Sequence, residues 1–471
     1  MSGDMLAWMD AGARELLLFA CFWMVVIGMD DLLFDLLWLG GALRGRWRPV
    51  SLAGLGEPAP VRIAIFIPLW QEADVAGPMI DHTLRQWGEG DYCLYLGCYP
   101  NDAATRDAVE QAAAHYPGRV RLVLNPRSGP TTKADNLNAM WLALREDAAG
   151  NGRGFDAVVL HDAEDLVHPD ELALYARLWS SHDMVQIPVV PSADPDSRWI
   201  GGHYLDEFAE AHGKEMPLRD RLGAPIPSAG VGVVFRTDLL ERLAGQSPTG
   251  LPFDAGSVTE DYELGIRAGL SGARCRFVRA TGADGSLIVS RGLFPGTIAT
   301  SIRQKKRWIL GIALAGWDRL ARLRAQPSLP LRQRFFNGWM RWRDRRSVFA
   351  ALVLLTSYIA LLLSFFSPAL RYWMGVEVRS AAPVPQLLEG LLLLTVCLLL
   401  WRAILRFCFT LSCYGWGEAW RAVPRMLVSN IIAIMASSRA LAAYFPLLRG
   451  AAVRWDKTAH RFPGMAGEQA R

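Results

Sequence analysis

The sequence has no C-x-x-C pair and only seven cysteines in 471 residues, so it offers neither a zinc knuckle nor a disulfide framework. Cys397, Cys408 and Cys413 fall in or beside an apolar helical pattern, where a thiol acts as a small hydrophobe, and a reducing compartment is expected for the soluble part. A large charge excess is missing too: 50 basic and 46 acidic residues leave +4, and the arginines gather beside apolar runs instead of on one broad basic face. Nucleic acid is therefore not an expected partner. Repeats and low-complexity tracts are absent. No basic n-region opens the chain; Asp4 and Asp10 precede the first apolar run, which reads as a retained anchor and not a cleaved signal peptide.

What is present is segregation. Hydrophobic residues make up 51% and charged residues 20%, so apolar and charged stretches must be separated along the chain, as in a soluble domain flanked by membrane segments. The run 15–41 is long enough for a hydrocarbon core of ~30 Å, and Arg44, Arg46 and Arg48 after it place its C-terminal end in the cytoplasm. Two more long runs, 348–370 and 387–411, are joined by a loop with Pro383 and Pro385. Their outer ends carry Arg341, Arg343, Arg345 and Arg346, then Arg402, Arg406, Arg421 and Arg425, so both should be cytoplasmic. The last run, 426–448, contains Asn430, Ser437, Ser438 and Arg439 and precedes a basic tail; an interfacial or re-entrant helix is expected. The resulting division is an anchor (1–48), a cytoplasmic catalytic domain (49–325), a membrane region with two transmembrane helices (326–425) and an interfacial segment with a cytoplasmic tail (426–471). Asp31 and Asp35 in the first run and Arg402 and Arg406 in the third each sit four apart on one helix face, and the two pairs are expected to meet.

Between 61 and 285 short apolar runs (63–67, 92–98, 120–124, 157–160 and 184–190) alternate with helical segments. Such alternation predicts an α/β domain with a mainly parallel sheet, whose ligands bind beyond the carboxyl ends of the strands. The first strand ends in Pro68-Leu-Trp-Gln-Glu72 and the second near Asp102, acids able to hydrogen-bond a uracil ring and a ribose. A later strand runs into His161-Asp-Ala-Glu-Asp165. Three carboxylates there would repel a pyrophosphate unless a divalent cation bridged them, and hard oxygen ligands suit Mg2+ or Mn2+; a charged helix start is the competing reading. Lys133 can neutralise phosphate, with Asn138 holding the loop. Pro227-Ser-Ala-Gly-Val-Gly232 either lets backbone approach a bulky ligand or forms a turn needing positive φ.

Thr259-Glu260-Asp261 opens a helix, and a carboxylate held there can take a proton from an attacking hydroxyl, making Asp261 the candidate base. Thr259 as an N-cap with acids in the first turn is the structural alternative. In Gln304-Lys-Lys-Arg307-Trp308, the tryptophan can stack on an acceptor sugar while Gln304 and Arg307 bind departing diphosphate. A juxtamembrane basic helix would look the same.

In this order the motifs resemble membrane-bound family 2 glycosyltransferases of the GT-A fold, the group of cellulose and hyaluronan synthases, over about 61–317. The resemblance implies a Rossmann-like nucleotide-diphospho-sugar transferase domain flanked by transmembrane α-helices. It implies nucleotide contacts at Glu72 and Asp102 and an acceptor and diphosphate segment at Gln304, Arg307 and Trp308, to which the residues themselves add Pro68, Lys133 and Asn138 as expected binding positions. It places the metal at Asp162 with Glu164 or Asp165, and catalysis at Asp261 with Glu260. His161-Asp-Ala-Glu-Asp165 and Trp455-Asp-Lys-Thr-Ala-His460 are closer still to the glycosyltransferase part of the phage-adsorption protein B family. That likeness implies an inner-membrane, multi-pass enzyme with a UDP-sugar donor, a surface-polysaccharide acceptor of N-acetylated hexosamine type, and an outer-membrane export partner. The usual Asp-x-Asp has Glu164 as its second acid, and the segment after the membrane region is shorter than a regulatory nucleotide-binding domain. Single-sugar transfer to a polyprenyl phosphate or lipid, and a non-catalytic membrane scaffold, are the alternatives.

Overall fold

A computed structural model describes residues 2–321, 329–375, 385–451 and 462; the tail motif at 455–460 and Pro383 lie outside them. The chain opens with α1 (Ser2–Ala42), followed by the short β1 (Val50–Ser51). Strands β2 (Ile63–Pro68), β3 (Tyr92–Cys98), β4 (Val120–Leu124) and β5 (Ala157–Leu160) alternate with α2 (Ala73–Trp87), α3 (Ala103–Ala113) and α4 (Lys133–Asn151). All of β2 and β5 is buried, which is why both read as unbroken apolar runs: helices cover both faces. After α5 (Glu171–Leu178) come β6 (Met184–Gln186), α6 (Gly202–Glu210), α7 (Met216–Leu222), β7 (Val233–Arg236), α8 (Thr237–Gly245), α9 (Glu260–Leu270), β8 (Cys275–Phe277) and β9 (Ala280–Thr281).

The seven-stranded sheet has the order β4-β3-β2-β5-β7-β6-β8, and only β7 runs against its neighbours. The run expected at 184–190 is a strand only to Gln186. Pro188 cannot donate to a ladder, and beyond it Val189 makes a single bridge to Ser290. One core packs α2 and α5 against the sheet through Ile65, Ile67, Leu94 and Val159; the other packs α4, α8 and α9 through Phe66, Trp141, Phe235 and Leu264.

The C-terminal part comprises α10 (Ile298–Ile309), α11 (Gly316–Ala321), α12 (Leu331–Arg345), α13 (Ser347–Trp373), α14 (Gln386–Tyr414) and α15 (Trp416–Leu448). Four helices, α1 and α13 to α15, are long and apolar enough to cross a membrane. The segment read as interfacial or re-entrant is one unbroken helix of 33 residues, so the chain does not double back within it. Near its start Arg425 binds Asp206 of α6 at 2.7 Å, and near its end the Tyr444 hydroxyl donates to Asp318 of α11, so α15 lies along the α/β domain over most of its length.

The acid-arginine pairing between α1 and α14 is met in part. Asp31 reaches Arg402 at 3.4 Å but also pairs with Arg343 at 2.9 Å and with Arg346. Asp35 and Arg406 do not meet. The soluble domain inserts between them, with Lys214 taking Asp35 at 2.6 Å and Glu210 taking Arg406 at 2.7 Å. A charge buried this far from water needs the nearest partner with good geometry, and the partners offered by α6 and the turn after it are closer.

Candidate active site

At the carboxyl end of β5 the chain turns sharply, and a buried imidazole organises the turn. His161, 1% exposed, lies between Asp165 and Glu171, each oxygen 2.9 Å from a ring nitrogen. Burial alone would depress its pKa, but Glu171 and Asp165 outweigh that and raise it to about 10, so His161 is an imidazolium at neutral pH. Asp165 Oδ2 also accepts the Asp162 N–H at 3.0 Å. Both bonds make Asp165 a brace of the loop, while Asp162 and Glu164 are the acids it presents.

A stability consequence follows. Because the folded pKa of His161 lies above its ordinary 6.5, its contribution is complete below that pH and is lost as pH rises through about 10. His161→Leu should cost about 3 kcal/mol at neutral pH by leaving two buried carboxylates unpaired. It should also flatten the decline in melting temperature between neutral pH and 10; thermal unfolding across that range checks both.

Asp162, Glu164 and Asp165 line a cavity of about 600 Å³ together with Lys133, Glu260, Asp261, Gln304, Arg307 and Trp308. Three elements converge there. Thr132 caps α4, its hydroxyl accepting the Asp135 N–H, so the next residue, Lys133, projects from the first turn, and its Nζ sits 2.5 Å from Asp162 Oδ1. Burial would lower that ammonium, yet Asp162, Glu260 and Asp261 hold it above its usual range. Glu260 and Asp261 begin α9. Thr259 occupies the N-cap position, but its hydroxyl caps nothing; Ser257 Oγ accepts the Thr259 N–H instead, at 3.1 Å. Asp261 Oδ1 accepts the Tyr262 N–H at 2.7 Å. Burial first, then the adjacent Asp261 charge, pushes the Glu260 carboxyl well above its ordinary range. Burial also raises Asp261, against the opposing pull of Lys133.

Gly230 makes room for this pair. It has φ +77°, and a Cβ there would lie 2.3 Å from Asp261 Oδ2. The positive-φ reading of the Pro227–Gly232 turn therefore holds, and the close approach it makes is to the protein's own carboxylate. Gly265 of α9 is a second close approach, its absent Cβ 2.3 Å from the Ser228 N. Gly230→Ala should push Asp261 aside and strain the turn, reducing any Asp261-dependent activity at least as far as about tenfold, with a modest loss of stability; activity and melting temperature measured together test this.

Four expected contacts lie outside the cavity lining. Pro68 ends β2. Glu72, at the N-cap of α2, has its N–H on Thr105 Oγ1 at 2.8 Å, and Asp102, at the N-cap of α3, accepts the Gln71 N–H at 2.6 Å. These three tie together the ends of neighbouring strands β2 and β3. Asn138 donates its amide N–H to Phe253 O at 2.8 Å and accepts from Phe253 N at 3.2 Å, so it clamps the segment leading to α9, in keeping with the expected loop-holding role. Other cavity residues went unnoticed in the sequence: Phe208 of α6, His212 just beyond it, Phe294, and Ala443, Pro446 and Leu447 of α15. None belongs to a recognisable pattern; packing alone brings them together. Phe294 and Phe208 pack beside Trp308 with ring centres 6.4 and 6.3 Å away.

Among the described residues no three His, Cys, Asp or Glu side chains stand close enough to cage a metal ion by themselves. Residues 59–311 match the model of the glycosyltransferase-like family 2. The chain is 32% identical to bacteriophage adsorption protein B of Escherichia coli (strain K12), over 94% of its own length and 62% of that protein's, and the O157:H7 counterpart gives the same figures. The chain thus spans less than two thirds of these relatives. Among solved structures it is similar to a mannosyltransferase from Pyrobaculum calidifontis in complex with GDP-Man and Mn2+, with 17% identity, 90% and 99% coverage and a TM-score of 0.48. It is also similar to a Mycobacterium tuberculosis glucosyl-3-phosphoglycerate synthase bound to Mn2+, UDP and product, with 16% identity, 59% and 85% coverage and a TM-score of 0.34. With an α/β domain of this topology and more than half the sequence matched, the chain belongs to the glycosyltransferase-like family 2 and has its GT-A fold.

Proposed function

We propose that this chain is an inverting, metal-dependent transferase that moves a sugar from a UDP-sugar to a growing surface polysaccharide at the inner membrane. The observation that carries the reading is the convergence of Asp162, Lys133, Asp261 and Arg307 on one cavity. The donor set fits Mg2+ or Mn2+: Asp162 and Glu164 are hard oxygen ligands, and such ions are commonly held by one or two carboxylates plus substrate phosphates, without an all-protein cage. When bound, the ion would neutralise diphosphate charge. Asp165, braced on His161, supports the loop from behind.

In the proposed step Asp261 takes the proton of an acceptor hydroxyl as its oxygen bonds to the anomeric carbon and the bond to the diphosphate breaks. One displacement inverts the configuration. Lys133 and Arg307 meet the charge that grows on the departing diphosphate, and Gln304, whose Oε1 has no hydrogen-bond partner among the described residues, is available to a donor group of the substrate. Burial and the Asp261 charge both push Glu260 toward its neutral form, which limits the negative charge beside Asp261. Pro68, Glu72 and Asp102 are assigned to the nucleoside end. The arginine-rich flanks support a cytoplasmic catalytic domain, and α15 is placed in the interface because both its ends touch that domain. One observation favours a lipid-linked acceptor as second reading: Ala443, Pro446 and Leu447 give the cavity an apolar wall from α15.

The test is purified protein in lipid with Mn2+ and a panel of UDP-sugars, reading released UDP. Release should stop on chelation and return with the ion. A ladder or long product supports the polymer, and a single lipid-linked sugar the second reading. Silence with every donor would reject both.

A further inference from the structure

His212 lines the cavity but belongs to no catalytic loop. It sits in the π-turn Ala211–Glu215, where the helix running from α6 into α7 widens by one residue; such bulges recur at functional sites. Its Nδ1 accepts the Val189 N–H at 2.7 Å, so the ring proton is on Nε2. No protein atom among the described residues takes a hydrogen bond from Nε2. Burial depresses the pKa of this ring to about 3, so it is neutral at working pH. A neutral imidazole whose acceptor nitrogen is already engaged can do one thing for a ligand, which is to donate a single hydrogen bond.

The surroundings narrow the ligand. Phe208 lies 5.3 Å from the His212 ring, and Phe208, Phe294 and Trp308 form an aromatic group in the same cavity. Flat aromatic faces suit the C–H face of a pyranose, and a donor at their edge suits one of its oxygens. An alkyl chain in that place would leave the N–H unsatisfied. We propose that His212 Nε2 donates to an exocyclic oxygen, hydroxyl or N-acetyl carbonyl, of the acceptor sugar, and so helps to select which sugar is extended. The inference rests on the glycosyl-transfer reading above.

Two substitutions separate this role from a structural one. Asn places its amide near the Nδ1 position, so His212→Asn keeps an acceptor for the Val189 N–H and removes the cavity donor. Gln reaches the Nε2 position, so His212→Gln keeps a donor toward the cavity and gives up the Val189 bond. UDP release is measured for each protein with a panel of UDP-sugars, with and without added free hexoses and N-acetylhexosamines, beside a melting curve. The sugar-stimulated part of release should fall roughly tenfold relative to the unstimulated part in His212→Asn, through a higher acceptor KM, and should largely return in His212→Gln. A purely structural histidine predicts the reverse order, with His212→Gln the damaged protein, and that result overturns the proposal. So does His212→Asn with undiminished stimulation, or a wild-type protein that releases UDP but responds to no sugar. A wild-type protein that releases UDP from no donor defeats the parent reading instead.

Discussion

Asp261→Asn should transfer sugar about 10² to 10⁴ times more slowly than the wild-type chain while folding normally. The substitution keeps the size of the side chain and an oxygen able to accept the Tyr262 N–H, which binds Asp261 at 2.7 Å. It removes the capacity to take a proton together with the carboxylate charge that faces Lys133. The pH response follows from the same residue: burial raises the Asp261 pKa above its ordinary 3.8, so the wild-type rate should fall on acidification earlier than a solvated carboxylate would dictate. Released UDP, assayed at matched protein level, measures both effects. A variant with more than a tenth of wild-type activity would remove Asp261 from the role of base. Loss of a cell-surface glycan in the Asp261→Asn strain would reject the scaffold reading, and an unchanged glycan would support it.

Arg425→Ala should cost about 3 to 5 kcal/mol, comparable with the ~5–15 kcal/mol that holds a typical domain together. Arg425 is fully buried. Its guanidinium binds Asp206 at 2.7 Å, the Glu418 carboxylate at 2.6 Å and the carbonyls of Glu418 and Arg198 at 2.9 and 3.1 Å. Gly202 lies flat beneath it: a Cβ there would be 2.3 Å from Arg425 Nη1. Truncation leaves Asp206, 1% exposed, with the Thr410 hydroxyl at 3.0 Å as its side-chain hydrogen-bond partner among the described residues. Arg425→Lys should recover little, because an ammonium cannot reproduce a fork that serves two carboxylates. Adding Asp206→Asn to Arg425→Ala should restore part of the loss by removing the orphaned charge. Thermal unfolding in detergent is the measurement, and a change below about 0.5 kcal/mol would show that the pair does not hold α15 to α6.

Residues of α15 line the cavity, so its docking bears on more than stability. Partial undocking in Arg425→Ala should open the wall made by Ala443, Pro446 and Leu447. Lys305 gives a second link, its Nζ on Glu207 at 2.6 and 2.7 Å, with Ser429 of α15 on the same carboxylate. Lys305 adjoins Gln304 in α10, so the helix carrying Arg307 and Trp308 is held against the membrane-side helices by the same acids of α6.

Strands β2, β3 and β5 were legible because central parallel strands are buried on both faces and therefore spell continuous apolar runs, whereas β4, at the sheet edge and half-buried, was legible from the apolar residues of Val120–Leu124 alone. β8 was not, since Cys275–Phe277 is short and edge strands carry mixed residues. The acids after β5 and at the start of α9 stood out because clustered charge is conspicuous beside apolar runs, although helix starts by themselves also favour acids. The partner of Asn138 was not legible, because its sequence neighbourhood gives no hint that both amide ends reach Phe253, 115 residues away.

The order of apolar and charged segments, the alternation of strand and helix, and the chemical identity of Asp162, Asp261 and the Arg307-Trp308 helix were set within short windows of sequence, since hydrophobic period and side-chain chemistry are local properties. Which acid braces and which faces the cavity, which arginine meets which aspartate, and that His212 and the end of α15 join the same pocket were decided only by folding. These depend on distances between residues far apart in the chain, and a buried charge or donor takes whichever partner the packed structure brings within hydrogen-bond reach.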